Sequence, residues 1–132
     1  MKRIVADERV VAFLGEKLGK GFCPPYAALG IEKDGQIIAG AMFNVFEKPD
    51  VHVTVAGHGW TREFLQEVGA YVFGTLGYER ITAITESPFV AQIGERLGGE
   101  IEGVLRSHFG KGRDAFVIGI LKDEYLYGRK EN

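Results

Sequence analysis

The chain has 132 residues, 45% of them apolar and 26% charged, with a net charge of −2. That length suffices for one domain with a real core, spanning 1–132, and the charge balance leaves no basic footprint for a nucleic acid. The single cysteine, Cys23, excludes an internal disulfide framework and a cysteine-based zinc site, and no apolar run approaches the roughly 18 residues of a membrane span. Met1–Arg9 meets charged residues too early for a signal core, so a cytoplasmic address is the default. Arg3-Ile4-Val5 reads as a very short strand. Asp7 then offers an N-cap, and Val10, Val11, Leu14 and Leu18 mark one face of a helix stopped by Gly19 and Gly21. The prolines of Phe22-Cys23-Pro24-Pro25 make the next stretch a rigid connection, with Cys23 expected as a small buried group.

Ala27–Lys33 and Gln36–Phe46 form a hairpin around Asp34-Gly35, a pair that tolerates positive φ. The second arm is long and mostly apolar, as in a strand buried on both faces. After the turn at Lys48-Pro49-Asp50, Val51, Val53 and Val55 alternate with His52, Thr54 and Ala56, which is the period of a third antiparallel strand.

That strand runs into Gly57-His58-Gly59-Trp60. A glycine turn that opens a helix exposes unpaired backbone N–H groups at the positive end of the helix dipole, a setting suited to a phosphate. Beyond it Phe64, Leu65, Val68, Tyr71, Val72, Thr75 and Leu76 mark one face of a helix about four turns long, ended by Gly77. Arg80–Thr85 is a β-branched strand. Ser87-Pro88 is a helix start, with Phe89, Val90, Ile93 and Leu97 as its apolar face and Gly98-Gly99 as its stop. Two strands follow, Glu100–Phe109 and Asp114–Lys122, joined by the turn Gly110–Arg113; the charged tail from Asp123 to Asn132 is expected to fray. The order (β)αβββαβαββ implies an α/β (α+β) protein. Its mixed sheet is an antiparallel meander followed by a parallel βαβ unit, with helices on both faces.

This order and several motifs resemble the GNAT superfamily of N-acetyltransferases. Gly57-His58-Gly59-Trp60 falls on the family's G-x-G-[IY] phosphate turn, with Glu63 on the glutamate that follows and Tyr71–Gly77 on its y-a-F-e-e-L-G helix end. Glu95-Arg96-Leu97-Gly98 is similar to the E-[KR]-L-G motif, Glu102–Arg106 to E-G-x-L-R, and Ile118–Tyr125 to the last strand and its [RK]-[DE]-E-W close. The likeness runs from about Ala27 to Tyr125 and extends to short, phage-associated members with a G-W-[LT]-T-R-x-F turn. It departs from the family at Ala56, where a basic residue is usual, at Ser87, usually Asn, and at Gly94, often a general-acid Tyr; one N-terminal helix stands where two are usual.

The resemblance implies an acetyl-CoA-dependent transfer of an acetyl group to a primary amine of an unknown acceptor. The CoA diphosphate would sit on the amides from His58 to Glu63, including Gly59, Trp60 and Thr61. Pantetheine would pair with Val53, Thr54, Val55 and Ala56, with Ser87 a further contact. Catalytic candidates are Glu86, at the strand end where α/β ligands bind, and His52, whose unperturbed pKa suits proton transfer near neutrality. Tyr125 and Tyr127 are possible acids. No metal is expected, since no pair of His52, His58 and His108 has ligand spacing. The alternative is an inactive GNAT-like domain that binds CoA or a protein partner, and an exposed sheet edge allows a homodimer.

Overall fold

A computed structural model describes residues 1–128. Seven strands form one sheet in the order β1-β2-β3-β4-β5-β7-β6: β1 (Lys2–Val5), β2 (Ala27–Lys33), β3 (Gln36–Glu47), β4 (Asp50–Gly57), β5 (Arg80–Thr85), β6 (Glu100–Leu105) and β7 (Ala115–Leu121). Every neighbouring pair is antiparallel except β4 and β5. Three helices cover it: α1 (Glu8–Leu18), α2 (Arg62–Gly69) and α3 (Pro88–Arg96). This is the order and the mixed sheet expected from the sequence. Among the described residues no helix is long and apolar enough to cross a membrane.

The period of two along β3 sorts the core into two layers. Ala39, Ala41 and Phe43 join Val51, Phe64, Val68, Val72 and Ile118 on one face, while Met42 packs with Val10 and Leu14 of α1 on the other. Gly30 and Gly40 form the floor beneath α1. A Cβ on either would stand 2.6 or 2.8 Å from a Val10 methyl, so their lack of side chains sets how closely the helix lies on the sheet. The hairpin turn has φ of 53° at Asp34 and 81° at Gly35, as an Asp-Gly pair allows. Val45, a β-branched residue, also takes a positive φ of 52°, where the β3–β4 register shifts between Asn44 and Glu47.

Five expectations need correcting. The helix after Thr61 is not one continuous α-helix: it widens into a π-helical stretch, Ala70–Thr75, in which the Leu76 N–H reaches back five residues to the Tyr71 carbonyl. The wider turn rotates its faces, so Phe73 is buried and Thr75 exposed. On α3, Ala91 and Gly94 meet the sheet, while Phe89 is exposed and Val90, Ile93 and Leu97 are only partly covered. Cys23 is exposed. The last hairpin is shorter than expected, with a longer loop that the Ser107 N–H anchors to Asp114 Oδ1. The tail does not fray at Asp123: Tyr125 is buried, and the Leu126 N–H bonds the Leu97 carbonyl. The tail's last residues, 129–132, lie outside the described residues.

Glu32 ties three elements together. Its carboxylate, 11% exposed on β2, takes Arg3 of β1 at 2.7 Å and Arg9 of α1 at 2.6 Å. The hydrogen bonds from Arg3 and then Arg9 hold its pKa below the usual carboxylate range, against the opposing effect of burial. A depressed folded pKa contributes stability above the unfolded value of about 4.3, and that stability is lost as pH falls through the lower, folded value. Glu32→Gln is therefore expected to lower the urea midpoint at pH 7, and the gap to wild type should narrow steadily as pH falls below about 4.3. A gap that persists unchanged there would show that packing, not charge, is lost.

Candidate functional site

The parallel seam between β4 and β5 is short. It pairs Asp50 with Arg80, Val51 with Ile81, His52 with Thr82 and Val53 with Ala83, and ends there. Beyond it β4 stays with β3 as far as Gly57, while β5 stays with β7 as far as Thr85. The two strands part, and the sheet carries a wedge lined by the small side chains of Val53, Val55 and Ala83. A cavity lies on each face of that wedge, and both are lined by these three residues and Val90.

On the α2 and α3 face the cavity is about 370 Å³ and almost wholly apolar. Phe64, Leu65 and Val68 form one wall and Val90, Ile93 and Leu97 the other, which explains why the apolar face of α3 is only partly buried. Apolar side chains turned into an open cleft are the usual mark of a ligand site. The chain's tail bridges one end: Tyr125 donates its hydroxyl to the Leu65 carbonyl of α2 at 2.5 Å, and Leu126 bonds the end of α3. Burial, and secondarily Tyr127, push the Tyr125 pKa far up, so it stays a donor.

The glycine turn stands at the mouth of this cleft. Gly57 has φ of 109° and Gly59 of 77°. A Cβ on Gly57 would strike the Ile38 carbonyl, so the turn is closed to other residues. The His58 N–H donates to that same carbonyl at 3.0 Å and is spent there. Thr61 is the N-cap of α2, its hydroxyl accepting the Phe64 N–H at 3.1 Å. The amides of Arg62 and Glu63, in the helix's first turn, have no intrahelical acceptor. Lys2 reaches the turn from β1, its Nζ 3.0 Å from the Gly59 carbonyl oxygen. This residue was missed in the sequence, where 57 positions separate the two. Trp60 stacks on Phe64 with ring centres 5.4 Å apart and lines the cleft.

On the α1 face the second cavity, about 280 Å³, is lined by Thr54, Ile84, Thr85, Glu86 and Ser87 at the strand ends. Lys20 beyond α1 and Phe109 and Arg113 of the β6–β7 loop complete it. Arg113 grips Glu86 with two bonds, Nε to Oε2 at 3.0 Å and Nη2 to Oε1 at 2.5 Å, and these hold the Glu86 pKa below the usual carboxylate range. Ser87 caps α3, accepting the Val90 N–H at 3.2 Å, which leaves its own O–H free to donate. His52 lines neither cavity. It lies on the paired part of the seam, 3.6 Å from Asp50, whose carboxylate also accepts from Thr82 and faces Arg80. His108 packs edge-on to Phe109. Among the described residues no three of His, Cys, Asp and Glu come together as a metal site.

The chain has the GNAT N-acetyltransferase fold, as its likeness to solved structures shows. Among solved structures it is similar to a variant of the spermidine N-acetyltransferase SpeG of Vibrio cholerae, at a TM-score of 0.74 and 16% identity over 95% of this chain and 96% of the other. A dodecameric form of the Vibrio cholerae enzyme gives the same TM-score, identity and coverage. A complex of that enzyme with manganese ions gives a TM-score of 0.73 and 15% identity over 95% of each chain. No protein-family model and no curated protein matches the sequence. The likeness to short phage-associated members stays a resemblance of motifs.

The tail's hold on the cleft is testable. Tyr125→Phe keeps the ring that packs on Phe73 and Gly69 and removes only the bond to Leu65. The variant is expected to lose about 1 kcal/mol of unfolding free energy in urea. A loss below a few tenths of that would mean the hydroxyl holds nothing.

Proposed function

We propose that this chain is an acetyl-CoA-dependent N-acetyltransferase acting on a primary amine, in one domain with a shortened N-terminal helical part. The observation that carries the reading is the wedge: two cavities reach the same small residues, Val53, Val55 and Ala83, from opposite faces of the sheet. Such a passage lets an acyl donor and an amine approach each other from two sides. When bound, acetyl-CoA supplies an already activated acyl carbon and a thiol leaving group, so the protein's task is positioning and proton transfer.

Each part of the site has a role in this reading. The amides of the α2 start and the Lys2 ammonium hold the diphosphate. Lys2 thus supplies, from another strand, the positive charge missing at Ala56. The free edge of β4, from Thr54 to Ala56, offers backbone partners to the pantetheine amides, and the Ser87 hydroxyl offers one more. The apolar cleft shelters the arm. Glu86, at the acceptor cavity, draws in the ammonium; His52, outside both cavities, is left to the sheet. Acetyl-CoA as co-substrate puts the reaction in the cytoplasm. Copies of the chain would pair along the open β6 edge, where Ile101, Val104 and Leu105 are exposed.

Calorimetric titration with acetyl-CoA tests this. Wild type is expected to bind in the micromolar range. Gly59→Glu places a carboxylate against the diphosphate and should abolish binding. Lys2→Ala should weaken it about three- to tenfold, with a smaller effect in high salt. No binding at millimolar acetyl-CoA would overturn the reading.

A further inference from the structure

We propose that the acceptor is a small α-amino acid, an amine that carries its own carboxylate, and not a polyamine. This rests on the acetyltransferase reading and concerns the cavity on the α1 face. A polyamine presents several ammonium groups and needs several unengaged carboxylates. This cavity has one carboxylate, Glu86, already held by Arg113 through two hydrogen bonds, and a second cation in Lys20. The cleft on the other face adds Arg96 and no acidic residue. The charge that lines the two cavities is therefore net positive, which repels a polycation and admits an anion.

The Glu86–Arg113 pair has the polarity of a zwitterion turned inside out. An α-amino acid can replace it with two pairs of its own, ammonium on Glu86 and carboxylate on Arg113. The exchange costs little, because the side chains of Glu86 and Arg113 are 41% and 59% exposed and a surface ion pair contributes only about 0–1 kcal/mol. Bidentate capture of a carboxylate is what a guanidinium does well. Glu86 follows Thr85 at the end of β5, three residues past the last seam pair at Ala83, so an ammonium bound there lies next to the wedge. Phe109 and Ile84 give the amino acid's side chain an apolar wall. The bound ammonium first gives one proton to solvent; the neutral amine's new C–N bond then forms as the C–S bond of acetyl-CoA breaks, and the second proton shed by the nitrogen ends on the CoA sulfur.

The experiment measures acetyl transfer by wild type and Arg113→Gln, with a panel of α-amino acids, their methyl esters and spermidine as acceptors. The methyl ester keeps the amine and removes the carboxylate charge. Wild type is expected to show a KM for its best amino acid at least tenfold below that of the ester, and little turnover of spermidine. Arg113→Gln should raise the amino-acid KM about tenfold, bring it to the level of the ester, and leave kcat within a few-fold. Arg113→Lys should recover part of the difference. Unchanged acetyl-CoA affinity and melting temperature would confirm that both variants fold. Spermidine or the esters serving as well as the acids, an Arg113→Gln variant with an unaltered KM, or no amino acid turned over by a chain that binds acetyl-CoA would each overturn the proposal. Failure to bind acetyl-CoA would overturn the reading beneath it instead.

Discussion

The structure depends on a seam that stops early. β4 and β5 share four residue pairs and then each follows its other neighbour. Antiparallel pairing with β3 and with β7 holds the two strands to their ends, so the parting costs only the contacts between them. The residues at the opening are Val, Ala and Thr, too small to fill the gap with side chains. α2 and α3 are then set apart by the same wedge. Their facing apolar residues line a cleft instead of closing a core, and the tail has to bridge its end. The glycine turn, the two cavities and the docking of Tyr125 all follow from where one ladder ends.

Much of the fold was legible because it is written in short-range signals. Asp34-Gly35, the alternation at Val51–Val55, the caps at Asp7 and Ser87, and Gly19 each act within a few residues of their own position. They set the order of elements and placed the glycine turn at the start of α2. The π-helical stretch after Gly69 was not legible. A period of 3.6 fitted Thr75 to the buried face, whereas in the wider turn Phe73 is buried in its place against Tyr125, and the Tyr78 N–H bonds the Val72 carbonyl, partners distant in sequence or beyond the helix.

The same distinction governs the site. The backbone parts of it, the turn and the wedge strand, could be read from Gly57, Gly59 and the valines. The side-chain parts could not. Lys2 meets Gly59 across the sheet, Arg113 meets Glu86 from a loop 27 positions away, and Tyr125 reaches Leu65 over 60. His52 looked well placed because it shares a strand face with Thr54. That face is continuous, but the cavity on it begins at the last seam pair, Val53 and Ala83, and His52 lies one residue short of it.

This division also explains why a fold can outlast its specificity. Holding a diphosphate and a pantetheine arm is largely backbone work: free amides at a helix start, a free strand edge, a cleft with apolar walls. In the proposed reading such features tolerate the departures at Ala56, Ser87 and Gly94, with a charge brought to the turn by Lys2 from a different strand. Choice of acceptor has no such reserve. It rests on a few charged side chains at the far mouth of the wedge, and these respond to single substitutions. Two chains with 16% identity and a TM-score of 0.74 can therefore share the passage and differ in what enters it from that side. Where a polyamine needs carboxylates, this chain presents Arg113, Lys20 and one carboxylate already engaged, and in the proposed reading the sign of that charge, more than the fold, sets the acceptor.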